Sequence, residues 1–170
     1  MISHNTPNSL THFQDAAKRL IKYWELRREI CESDETTFLP MTLNGVLRDD
    51  SVALSMGLCQ ILPYKDPSSG RRILFMDSSR QDYSIISVKS QARATAYMLT
   101  AALEDETTQQ KGIIVIFWPA RERWDQHNRE FISLAVSSLK GALPGKYARC
   151  CCCCVSCNYI LLYRIFTTNY

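Results

Sequence analysis

Apolar side chains recur near the start of the chain at Phe13, Ala17, Leu20 and Trp24, a spacing that lines one face of a helix. Lys18, Lys22, Glu25, Arg28 and Glu29 take the other faces, so a helix is predicted from about Ser9 to Ile30. Asn44-Gly45 marks a turn, and Val46–Met56 reads as a second helical segment. Ile61–Tyr64 and Arg71–Asp77 flank Lys65-Asp66-Pro67-Ser68-Ser69-Gly70, a loop by its Asp, Pro, Ser and Gly content. Arg71–Met76 reads as a strand. A long helix is predicted from about Ser87, a suitable N-cap, to Gln109. Val88, Ala92, Thr95, Leu99 and Ala102 share one of its faces, and Lys111-Gly112 stops it. Ile113-Ile114-Val115-Ile116-Phe117-Trp118 is the clearest strand, closed by Pro119. Being apolar on both sides of the pleat, it suits a strand covered by helices on both faces. A last helix, about Asp125–Lys140, carries Phe131, Leu134, Ala135 and Leu139 on one face and ends at Gly141 and Pro144.

Helix, helix, strand, helix, strand, helix implies an α/β fold with parallel strands joined by a crossover. Two strands make a poor sheet. A further strand is due after Pro144, and a run of cysteines stands there instead.

Composition divides the chain at the same point. Residues 145–170 hold Lys146, Arg149 and Arg164 and no acid, out of 20 basic and 17 acidic residues in all. Residues 1–144 are therefore neutral overall and lack the electrostatic footprint of a nucleic-acid binder. Six of the eight cysteines, Cys150 to Cys154 and Cys157, lie in the same terminal stretch. Cys31 and Cys59 alone are no disulfide framework, so 1–144 reads as a reduced, cytoplasmic protein. No apolar run approaches the roughly 20 residues of a membrane-spanning helix.

Four segments carry a family resemblance. Asp66-Pro67-Ser68-Ser69-Gly70-Arg71-Arg72-Ile73-Leu74-Phe75 resembles the start of the lipid-binding domain of the CRAL-TRIO family. This family comprises relatives of the yeast phosphatidylinositol/phosphatidylcholine transfer protein and the tocopherol and retinal carriers. Leu103–Ile113 is similar to that family's helix end, glutamine, glycine and central strand. Leu139-Lys140-Gly141-Ala142-Leu143-Pro144 resembles the step into its next strand. Asp15 to Arg27 is similar to the last helix of the small helical region that precedes such domains. The resemblance covers about 12–144. The family's acidic residue after the central strand is replaced here by Phe117-Trp118-Pro119. The later strands, gating helix and basic segment of the family have no counterpart beyond Pro144.

The resemblance implies an incomplete CRAL-TRIO-type sheet flanked by helices. It divides the chain into a helical region (1–60), the N-terminal part of a lipid-binding domain (61–144) and an unrelated, disordered cysteine-rich tail (145–170). It implies a non-enzymatic protein that binds one lipid or small hydrophobic molecule and presents it at a membrane surface. No cofactor, metal or nucleic acid is implied. Carried over by motif, the pocket wall comprises Phe75, Thr95, Leu99, Ile114 and Ile116, and Lys18 and Arg27 lie where some relatives place a cation near a lipid phosphate. Plain core packing is the competing reading of the apolar positions, and a solvated charge that of Lys18. Two other functions compete: a domain that binds protein through its apolar helix faces, and a membrane adaptor acylated on its cysteine string.

Other chemistry finds little support. His4, His12 and His127 share no ligand spacing and read as surface residues. Glu104, Asp105 and Glu106 crowd a predicted helix C-terminus, where the dipole disfavours them. Gly141–Tyr147 imitates a phosphate loop but has one residue too few and Tyr147 in place of the magnesium-binding hydroxyl. Cys151–Cys154 and Cys154–Cys157 have zinc-like spacing without a separated second knuckle. Read-through of an intron or a frameshift at Gly145-Lys146 accounts for the same composition.

Overall fold

A computed structural model describes residues 8–119, 121–137, 142 and 147–152. The fold is α/β. Three helices, α1 (Asn8–Ile30), α2 (Asp34–Phe38) and α3 (Ser51–Met56), precede a hairpin of β1 (Cys59–Lys65) and β2 (Arg72–Asp77). Then follow α4 (Val88–Ala102), α5 (Glu106–Lys111), β3 (Ile113–Trp118), α6 (Arg129–Ser137) and β4 (Tyr147–Cys152). The sheet runs β1-β2-β3-β4, with β1 antiparallel to β2 and the other neighbours parallel.

The hairpin loop forms as its composition predicts. The Asp66 carboxylate accepts from the Ser68 hydroxyl and the Ser69 amide at 2.8 and 3.0 Å, and Gly70 takes the left-handed conformation that closes the turn (φ 73). The preceding segment is itself a strand, pairing Gln60 with Phe75 and Ile61 with Leu74.

The Ser87 hydroxyl caps α4 by accepting from the Ser90 amide at 3.1 Å. The single long helix predicted from Ser87 to Gln109 is two helices. α4 ends at Ala102, and Asp105 caps α5, its carboxylate accepting from the Thr108 amide and hydroxyl at 2.9 and 2.8 Å. The acidic cluster thus lies between two helices: Glu104 follows the C-cap of α4, as expected, while Asp105 and Glu106 stand at the N-terminus of α5, where the dipole favours them. Helix α6 starts later than predicted, at Arg129 after a 3₁₀ turn at Trp124–Gln126.

One core lies between the sheet and α4 and α6. It joins Leu74, Met76, Ile113 and Val115 to Leu99 and Phe131. A second cluster packs the end of α1 (Leu26, Ile30) and Val46 and Leu47 on Ala92, Ala96 and Leu134. The small alanines let α1 approach α4. The layers are therefore sheet, then α4 with α6, then the helices that precede the hairpin.

A buried ion pair ties these layers. Asp50 accepts from Arg93 Nε and Nη2 at 2.6 and 2.7 Å and from the Ser90 hydroxyl at 2.6 Å. Arg93 Nη1 also donates to the Ile30 carbonyl at 2.9 Å. Both partners are buried, and the hydrogen bonds that Arg93 donates to Asp50 raise its pKa.

The shared face of Phe13, Leu20 and Trp24 is turned outward, and α1 instead buries Leu26, Arg27 and Ile30. Tyr147–Cys152, expected to dock nowhere, forms the fourth strand, pairing Val115 with Cys150 and Ile116 with Cys151. The free edge of β3 offers unpaired amides and carbonyls, and backbone pairing accepts any extended segment whatever its side chains. The remainder of the expected tail, from residue 153 on, lies outside the described residues, as do 143–146.

Candidate functional site: the uncovered sheet face

Strand alternation sends every second side chain of β2 and β3 away from α4. Ile73 pairs with Ile114 and Phe75 with Ile116, so these four apolar side chains form a two-by-two patch. All four are half-exposed, and none belongs to a hydrophobic cluster among the described residues. Continuing the alternation, Asp77 pairs with Trp118 at the C-terminal end of the same face. Asp77 accepts from the Ser79 hydroxyl at 2.6 Å and from Arg80 Nε at 3.3 Å. The patch thus ends at an ion pair, of which Arg80 is half-exposed. This is an apolar wall with one polar rim, the layout of a site for a hydrophobic ligand with a polar end.

The structure brings together three of the five residues expected to line a pocket: Phe75, Ile114 and Ile116. Thr95 and Leu99 lie on the other side of the sheet. Leu99 is fully buried in the core beneath α4. Thr95 is buried too, its hydroxyl donating to the Gln91 carbonyl at 2.8 Å and accepting from the Cys59 thiol at 3.7 Å. Burial pushes the Cys59 thiol up to about 12, so it stays a neutral donor at physiological pH. Helix and strand residues that share a motif therefore wall opposite faces.

Ile73, Asp77 and Arg80 escaped the sequence reading. Period-two alternation through Arg72-Ile73-Leu74-Phe75 was the available signal for Ile73. Arg80 had none, since its position depends on the turn after β2.

The two cations expected near a lipid phosphate are far from this face by layer order. Lys18 is exposed on α1, 4.0 Å from Asp15. Arg27 is buried. Its guanidinium donates to the Thr37 carbonyl at 2.6 Å, to the Leu39 carbonyl and to the Tyr23 hydroxyl at 3.1 Å. It stands 5.7 and 5.9 Å from the Tyr23 and Trp24 ring centres. These contacts fasten the 37–39 segment to α1 and occupy two of the three guanidinium nitrogens.

His127 is half-buried rather than at the surface, its Nδ1 3.5 Å from a Glu122 carboxylate oxygen. Among the described residues no group of three His, Cys, Asp or Glu is placed to hold a metal ion. His4, Cys153, Cys154, Cys157 and most of the loop-like 141–147 segment lie outside those residues. Among the described residues, no helix is long and apolar enough to cross a membrane. No family model and no curated protein matches this chain.

Proposed function

We propose that this protein binds a lipid or small hydrophobic molecule against the half-buried face of its sheet that lies away from α4. The observation that carries the reading is the patch of Ile73, Phe75, Ile114 and Ile116, four neighbouring apolar side chains outside every cluster. Withdrawing an acyl chain from water onto such a wall stabilises by about 0.8 kcal/mol per methylene. The Arg80–Asp77 pair at the rim supplies a cation for a polar head. The sequence resemblance to CRAL-TRIO lipid carriers points the same way and places lipid presentation at a membrane surface, without catalysis. The protein is then a carrier of the hydrophobic molecule and a transient visitor to the bilayer.

The test is ligand recovery. Protein purified without detergent is extracted and its lipid content measured by mass spectrometry, beside Ile116→Glu and Leu99→Ala. Ile116→Glu is expected to lose bound lipid while keeping its helical signal. Leu99→Ala is expected to lose stability while its folded fraction keeps lipid. Lipid-free wild-type protein that also fails to take up a fluorescent fatty acid would overturn the proposal.

A further inference from the structure

The apolar stripe that α1 turns outward is independent of the sheet face. Phe13 is 75% exposed, Leu20 58% and Trp24 37%. Every residue from Phe13 to Lys22 is exposed, and from Phe13 onward the first buried residue of the helix is Leu26. Residues 13–22 of α1 therefore pack little against the described body. A helical segment of that length is marginal in water by itself, because tertiary packing supplies most helical stability.

We propose that this arm pairs with the same arm of a second copy, antiparallel about a two-fold axis between Lys18 and Arg19. Phe13, Ala17, Leu20 and Trp24 follow the alternating four-and-three spacing of a helix–helix seam. Antiparallel pairing matches the seam by size, whereas parallel pairing would set Ala17 against Ala17. Reversal about its centre sets Ala17 against Leu20, small against large, and Phe13 against Trp24. Trp24 already contacts Phe38, with ring centres 5.3 Å apart, and Phe38 is 65% exposed. The partner's Phe13 thus lands on a ready aromatic pair, where tilted ring contacts are favourable.

Charge allows this contact. The positions flanking the seam, Gln14, Ala16, Ile21 and Tyr23, are uncharged, so no like charges meet across it. Asp15, Lys18, Arg19 and Lys22 lie on other faces of the helix by its periodicity. Four exposed large apolar side chains per copy, Phe13, Leu20, Trp24 and Phe38, give an interface near the small end of the specific range, roughly 1,000 Å² in total. A concentration-dependent dimer is therefore expected.

Sedimentation velocity of the full chain across the micromolar range tests this, with Leu20→Glu as the breaking variant and Lys22→Glu as the control on the far face. Leu20→Glu is expected to weaken pairing on the order of a hundredfold, since it buries a charge at the seam, while circular dichroism shows a folded body. Lys22→Glu is expected to leave pairing unchanged. A photo-crosslinking residue in place of Phe13, in a mixture of heavy- and light-isotope chains, is expected to join one copy to peptides containing Trp24 or Phe38 of the other. A chain that stays monomeric at every concentration overturns the proposal. So does a dimer indifferent to Leu20→Glu, a cross-link to the partner's own residue 13 region, or a monomer whose Leu20 is needed for vesicle flotation.

Discussion

The two faces of the sheet are built from the same kinds of residue. Leu74, Met76, Ile113 and Val115 point one way; Ile73, Phe75, Ile114 and Ile116 point the other. The first set is buried under α4 and α6, and the second stays half-exposed. Hydrophobicity alone does not distinguish them. What differs is the connection: α4 and α6 both lie over one face, and among the described residues none of the three clusters reaches the other. An apolar strand residue is thus a demand for a partner, and the partner is chosen by topology.

The deepest cut into the covered side is Asp50→Ala, which leaves the buried Arg93 guanidinium with only the exposed Glu32 carboxylate, 3.7 Å away. Breaking such a pair is expected to lower stability by about 3–5 kcal/mol, read from urea unfolding. Leu99→Ala, which opens a cavity beneath α4, is expected to cost about 2–5 kcal/mol, while Ile116→Ala on the other face costs under about 1 kcal/mol. Equal losses at the two positions would erase the contrast between the faces. Thr95→Leu sharpens it further: overpacking between α4 and β1 is expected to cost about 1–3 kcal/mol and to leave lipid content per folded molecule unchanged.

The smallest effect is expected at the corner between α4 and α5. The Lys65 ammonium first, then the Thr108 hydroxyl and amide, hold the Asp105 carboxyl down at about 2. A group depressed in the folded state supports it above its unfolded pKa and loses that support as pH falls through the folded value. The corner should therefore loosen between about pH 4 and pH 2, and Asp105→Asn should flatten that part of an acid titration followed by circular dichroism.

Local chemistry was the legible part. The Ser87 cap, the Asp66–Gly70 loop, the glycine stop at Gly112 and the β3 run are each decided within a few residues, and each forms as its residues suggest. The break between α4 and α5 was hidden because Asp105 and Thr108 are unexceptional inside a helix until Lys65, from another element, meets the carboxylate. The outward turn of Phe13 and Trp24 was hidden because periodicity finds an apolar face without naming what it meets. At the candidate site, alternation joins Phe75, Ile114 and Ile116. The separation of Thr95 and Leu99 from them required knowing on which side α4 crosses.

Strand β4 carries a consequence for how freely this part of the chain can be rewritten. Its place beside β3 is read through peptide groups, at the register Val115 to Cys150 and Ile116 to Cys151. A contact that reads peptide groups fixes segment length and extension and leaves the alphabet almost open, proline excepted. Such an edge tolerates substitutions that would be fatal one strand inward. That is how a run of cysteines, which no helix or core pattern would favour, stands in a sheet whose neighbouring strand is all isoleucine, valine and aromatic side chains.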